Sequence, residues 1–125
     1  MAKGHSERFV TLVNDSKRRI EEITPREARD KQQKGEDFVL LDVREQDEWK
    51  ESRIAGAGYL GKGVIERDID ETVDDVDKEI VLYCGGGYRS ALAADNLQKM
   101  GYRNVKSLKG GFRSWLEAGL PIEKG

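Results

Sequence analysis

Two short apolar runs stand out in an otherwise polar chain. Phe38-Val39-Leu40-Leu41-Asp42-Val43 is broken only by Asp42, and Glu79-Ile80-Val81-Leu82-Tyr83 is continuous after its first residue. Consecutive apolar positions suit strands covered on both faces, as in a parallel sheet. Elsewhere the apolar positions recur at helical spacing. Phe9, Leu12 and Val13 share one face of a helix predicted over residues 6–19. Ala93, Leu97 and Met100 share a face of a helix over 90–100, which Gly101 ends. Thr24-Pro25 with Glu27 marks another helix start, with Thr24 as cap, Pro25 in the first turn and Glu27 closing a capping box. That helix stops at Gly35.

Weaker patterns fill the intervals. Residues 45–52 and 64–73 read as short helices, the second with Val64, Ile65 and Ile69 as its apolar positions. Brief strands are expected around Ile20 and Ile23, at Tyr59-Leu60 and over 105–108. A last helix over 112–118 is closed by Gly119 and Pro121. Alternating strands and helices predict an α/β domain on a mainly parallel sheet. The organisation expected is an N-terminal helical extension, 1–19, followed by one domain, 20–125. No internal repeat and no low-complexity segment is present.

A length of 125 residues suits a single domain. Charged residues make up 37% of the chain, yet they nearly cancel, to a net charge of -2. Without a basic surface, nucleic acid is not expected as the main partner. No stretch approaches the ~20 apolar residues of a membrane-spanning helix, and residues 1–20 lack the apolar core of a secretory signal. The expectation is a cytoplasmic monomer with no membrane partner and no cofactor. The one cysteine, Cys84, can form neither an internal disulfide nor a zinc site of several thiolates.

The neighbours of that cysteine carry the chemistry. Tyr83-Cys84-Gly85-Gly86-Gly87-Tyr88-Arg89-Ser90 lies between the stronger buried strand and a helix. In open α/β sheets ligands bind beyond the carboxyl ends of the strands, so Cys84 occupies the expected site position. Glycines let the backbone curl and visit positive φ, and successive N–H groups can then form a nest for an anion. The helix that follows adds the positive end of its dipole. Arg89 contributes a permanent charge at the rim. Cys84 is therefore the candidate nucleophile, with Gly85, Gly86, Gly87, Tyr88 and Arg89 as the binding loop. Three glycines in a row cost backbone entropy, which a tight turn alone does not require.

This segment resembles the active-site loop of the rhodanese family, in which a cysteine opens a six-residue loop usually closed by arginine. Leu41-Asp42-Val43-Arg44-Glu45 is similar to the family's Asp-x-Arg strand end. Arg53-Ile54-Ala55-Gly56-Ala57 resembles its His-Ile-Pro-Gly-Ala stretch, with Arg53 in place of His and Ala55 in place of Pro. Met100-Gly101-Tyr102 and Gly110-Gly111-Phe112-Arg113-Ser114-Trp115 are similar to its closing part. The resemblance spans about residues 20–121. It implies a rhodanese-like fold, with a central parallel five-stranded sheet flanked by helices on both faces. It also implies a thiosulfate sulfurtransferase that moves a sulfane sulfur through a Cys84 persulfide. The donor would be thiosulfate or a persulfide, and the acceptor cyanide or a small-molecule or protein thiol.

Other residues receive plainer readings. Asp42 and Arg44 are possible supporting residues at the mouth, but an ion pair holding the strand end is the favoured role. Lys62 and Arg67 could add positive potential there or be solvated. Trp49 and Trp115 read as core or core-edge packing. His5, the only histidine, reads as a solvated tail residue, so no imidazole base is assigned. Two rival functions are a cysteine phosphatase or arsenate reductase, and a non-enzymatic binding module on the same fold. Intact Cys84 and Arg89 speak against the binding module. The phosphatase pattern places five residues between cysteine and arginine, whereas here four separate Cys84 from Arg89.

Overall fold

A computed structural model describes residues 4–125. Its elements run α1 (Glu7–Lys17), β1 (Glu21–Ile23), α2 (Pro25–Gln33), β2 (Phe38–Asp42), α3 (Gln46–Glu51), β3 (Ser52–Ile54) and β4 (Gly58–Tyr59). A 3-10 turn (Lys62–Val64) then leads into α4 (Ile65–Thr72), β5 (Glu79–Tyr83), α5 (Tyr88–Lys99), β6 (Val105–Leu108), α6 (Gly111–Glu117) and β7 (Ile122–Lys124). Five strands form one parallel sheet in the order β1-β6-β5-β2-β4.

The two apolar runs are its central strands, and their register explains why both faces are apolar. Leu41, Val43, Ile80, Leu82 and Cys84 join one core with Ile65 and Ile69 of α4 and Ala93, Ala94 and Leu97 of α5. The alternate residues Leu40, Val81 and Tyr83 join the other, with Ala28 of α2 and Phe112 and Trp115 of α6. A strand between two helical layers must be apolar at every position, since neither face meets water. Each fully buried Ile or Leu contributes roughly 1.5–3 kcal/mol.

Local signals form as the sequence dictates. Thr24 Oγ1 accepts from the Glu27 N–H, and Glu27 Oε1 accepts from the Thr24 N–H, completing the capping box. Gly35, at φ +67°, takes the left-handed backbone that ends α2. Two features depart from expectation. Helix α5 begins at Tyr88, not Ser90, so Tyr88 and Arg89 belong to its first turn. The antiparallel pair β3–β7 carries no period-2 pattern in the sequence; Ile54 is buried while its neighbours are half-covered.

The chain direction across the sheet places the site. From β2 it moves outward to β4, and from β5 it moves the opposite way to β6. The connections thus diverge between β2 and β5, where Asp42 pairs with Tyr83 at the carboxyl ends. Cys84 is the next residue, at the switch point where open α/β sheets bind ligands.

Candidate active site

The Cys84 thiol sits under its own loop with 1% of its surface exposed. Its Sγ accepts the Gly87 N–H at 3.1 Å and the Ser90 N–H at 3.4 Å. Ser90 Oγ lies 3.5 Å from Sγ and 2.8 Å from Ser107 Oγ. If Ser107 donates to Ser90, the Ser90 proton is left to point at the sulfur. Two backbone N–H groups therefore converge on one sulfur, with the Ser90 hydroxyl beside it.

The glycines act by separate means. Only Gly87 of the three adopts positive φ, at +92°, and a Cβ there would meet the Gly110 amide nitrogen at 3.2 Å. A Cβ on Gly86 would meet nothing within 4 Å. Gly86 and Gly85 leave space above the loop, where a cavity of about 600 Å³ opens. The loop is held from outside by the start of α6. Phe112 N–H donates to Cys84 O at 2.7 Å, and Arg113 N–H donates to Gly85 O at 3.0 Å. Gly111, at φ +58°, permits this approach, because its Cβ would fall 2.4 Å from Cys84 O.

Arg89 lines the cavity, but it is not a free cation. Its guanidinium pairs with Glu48 of α3 at 3.1 Å. Partial burial works against the Glu48 charge; the Arg89 guanidinium and the Glu45 N–H outweigh it and hold the carboxyl below its ordinary range. Tyr88 and Arg113 complete the rim.

Asp42 and Arg44 do not line the cavity. They form a buried pair in which Arg44 Nη2 donates to Asp42 Oδ2 at 2.7 Å and to Ser52 O at 2.6 Å. The Arg44 guanidinium also lies 4.4 Å from the Phe112 ring centre. The pair thus ties the end of β2 to Ser52 at the start of β3. Arg53, which stands where the resembling family has histidine, donates to Trp49 O, covers the Trp49 ring and pairs with Glu123. It ties α3 and β3 to β7. Trp115 is fully buried, and Trp49 is a core-edge residue against Tyr59.

Of the two readings open for Lys62 and Arg67, neither residue lines this cavity: Lys62 lines a groove between α1 and α5, and Arg67 is exposed and pairs with its neighbour Asp68. One expectation is corrected. His5 is exposed but not a solvated tail residue. Its ring lies 4.4 Å from Tyr88 and 5.1 Å from Phe9, and it lines the cavity. The sequence reading missed Glu48, Ser107 and Arg113 as site residues. Ser90 stood within the quoted segment, but Glu48 and Ser107 lie far away in the chain and carry no local signal.

The comparison with known proteins decides the family: the model of the rhodanese-like domain matches residues 24–118. The chain belongs to the rhodanese family. Curated rhodanese relatives include the thiosulfate sulfurtransferase GlpE of Glaesserella parasuis, 38% identical over 83% of this chain and 94% of that one. GlpE of Actinobacillus succinogenes is 40% identical over 82% of this chain and 89% of its own. Among solved structures, a Rhodopseudomonas palustris protein of unknown function, described as a possible tyrosine phosphatase, superposes with a TM-score of 0.86 at 32% identity. It covers 98% of this chain and 99% of its own. The polysulfide-sulfur transferase homodimer of Wolinella succinogenes has a TM-score of 0.78 at 29% identity, over 93% of this rhodanese and 87% of its own chain. Sulfur transfer through a cysteine is the family's activity, and this chain is a sulfurtransferase of that family.

Proposed function

We propose that Cys84 is the nucleophile through which this sulfurtransferase works, with thiosulfate or a persulfide as donor and a thiol or cyanide as acceptor. The observation that carries the reading is the convergence of the Gly87 and Ser90 N–H groups on Cys84 Sγ at the switch point. In the first step the thiolate attacks the outer sulfur of thiosulfate. The Sγ–S bond forms, the S–S bond of thiosulfate breaks, and sulfite leaves with the bonding pair. The resulting persulfide anion extends into the loop of Gly85, Gly86, Gly87, Tyr88 and Arg89. An acceptor thiolate or cyanide then attacks the outer sulfur, and the bonding pair returns to Sγ. Such two-step exchange gives ping-pong kinetics. With no second cysteine, the sulfur must pass to another molecule. The chemistry calls for no cofactor. A lone thiol that must stay reduced suits a cytoplasmic setting.

Intact mass after thiosulfate treatment tests this reading. Wild type should gain one sulfur atom, and Cys84→Ser should gain none and lose thiosulfate:cyanide activity while its circular dichroism stays native. Turnover near wild type in Cys84→Ser would remove the assignment.

A phosphatase reading has one observation in its favour, a cysteine and an arginine flanking a loop of backbone donors. Against it stands loop size. A phosphoryl group brings three equatorial oxygens that each need room and a donor, and four intervening residues close the ring more tightly than five.

A further inference from the structure

The reaction just described leaves the outer wall of the cavity without a role. Part of that wall, His5 and Phe9, comes from residues before the matched family region. Helix α1 docks on α5 through buried Val13 and through Ser16 and Arg19, both bonded to the Asp95 carboxylate. This docking sets His5, Phe9 and Tyr88 in mutual contact, with Phe9 and Tyr88 ring centres 5.9 Å apart. Tyr88 directly follows the glycine loop. Arg113 lines the same cavity and has no ionic partner among the described residues, whereas the Arg89 charge is already met by Glu48.

We propose, resting on the Cys84 reading, that this wall is the acceptor subsite and that it takes a small thiol bearing carboxylates. The carbon skeleton would lie against His5, Phe9 and Tyr88, and a carboxylate would pair with Arg113. Three arguments converge. The cavity of about 600 Å³ has the size of a small-molecule site, within the range of ~300–1,000 Å³ usual for such sites. Arg89 and Glu48 also line the cavity but meet each other's charge, so the unpaired Arg113 guanidinium beside the aromatic faces is the group left to anchor and orient an amphipathic anion. Cys84 is almost fully covered, and Gly4, His5 and Phe9 line the cavity above it, so a thiol on a slender molecule reaches the sulfur more readily than one on a folded surface.

In the step itself the acceptor loses its thiol proton to water. Its sulfur then bonds to the outer sulfur on Cys84, the bond from that sulfur to Sγ breaks, and the electron pair returns to Sγ. The acceptor leaves as a persulfide, and no oxidant or reductant is consumed.

The test uses the full chain loaded with sulfur from thiosulfate, with loading read by intact mass. Discharge of the loaded protein is then followed with glutathione, which carries two carboxylates, and with 2-mercaptoethanol, which carries none. Arg113→Ala should raise the half-saturating glutathione concentration by roughly tenfold, leave 2-mercaptoethanol within about twofold, and be partly rescued by Arg113→Lys. His5→Ala should weaken glutathione by about threefold, while His5→Phe, which keeps a ring against Tyr88, should not. Equal losses for both thiols in Arg113→Ala, or wild-type glutathione discharge in both alanine variants, would overturn the subsite and leave the Cys84 reading standing. A wild-type chain that takes up no sulfur would defeat the Cys84 reading, and the subsite with it.

Discussion

Glu48 Oε1 lies 3.1 Å from Arg89 Nη1 and also accepts the Glu45 N–H at 3.0 Å, joining the first turn of α3 to the first turn of α5. The arginine that closes the glycine loop is therefore oriented before any substrate arrives, by a carboxylate that an incoming anion must approach. Removing that charge should ease anion binding. Glu48→Gln is expected to lower the KM for thiosulfate by about threefold, a change of roughly 0.6 kcal/mol for one partly screened charge. Steady-state kinetics at fixed ionic strength read this directly, and a raised KM would show that Glu48 matters mainly as the tether of Arg89.

The same pair has a signature in stability. Burial opposes the charge of Glu48, but Arg89 and the Glu45 N–H hold its folded pKa below the ordinary value of 4.5. The folded state therefore releases this proton more readily than the unfolded state. The contribution is complete above about pH 4.5 and is lost as pH falls through the lower folded value. Both side chains are about one-third exposed, so its size should be only ~0.5 kcal/mol. Urea unfolding of wild type and Glu48→Gln should differ by that amount at pH 7 and converge in acid.

Two glycines near Cys84 should respond in opposite ways to one added methyl. Gly111→Ala drives a Cβ to within 2.4 Å of Cys84 O from a left-handed backbone. A stability loss of about 3 kcal/mol or more is expected, with sulfur transfer lost as the loop is displaced. Gly86→Ala meets no atom within 4 Å, so its stability should change by less than about 0.5 kcal/mol. Its activity should nevertheless fall, since the methyl projects where the cavity lies. Thermal unfolding together with activity separates the two, and a stable, active Gly111→Ala would refute the account of how α6 holds the loop.

Asp95 anchors α1. Its buried carboxylate accepts from Ser16 Oγ and from Arg19 Nε and Nη2, and the Arg19 bond above all holds its pKa down. Asp95→Asn should cost about 1–2 kcal/mol and should speed amide exchange selectively in Glu7–Lys17. Uniform acceleration across the sheet would instead mean that α1 folds as one unit with the core.

Loop size separates sulfur transfer from phosphate chemistry. The unmodified chain is expected to show no measurable hydrolysis of aryl phosphates. Inserting one glycine between Gly87 and Tyr88 should lower sulfur transfer and raise affinity for phosphate or arsenate. Substantial phosphatase turnover by the wild type would overturn the assignment, and unchanged sulfur transfer after the insertion would discredit the steric argument.

What the sequence determined by itself was whatever is written locally. Unbroken apolar runs marked β2 and β5 because a strand sandwiched between helical layers has no polar face. Thr24, Pro25 and Glu27 marked the start of α2 because a cap needs only residues one turn apart. Cys84 followed by glycines marked the loop because strand, nucleophile and helix start are contiguous. Tertiary structure alone decided which distant groups meet there. Glu48 reaches Arg89 across 41 residues, Gly111 presses its backbone on Cys84, and Ser107 comes to Ser90 from the neighbouring strand. Each of these residues sits in a stretch whose pattern would look the same without its partner. The β3–β7 pair stayed hidden for a related reason: strands of three residues are too short to show a period, and only their pairing brings Arg53 and Glu123 together. His5 is the sharpest case, since nothing in a polar N-terminus foretells contact with Tyr88. That contact exists because the Val13 face of α1 and the buried Asp95 carboxylate dock the helix on α5 and carry the chain before it to the mouth of the site.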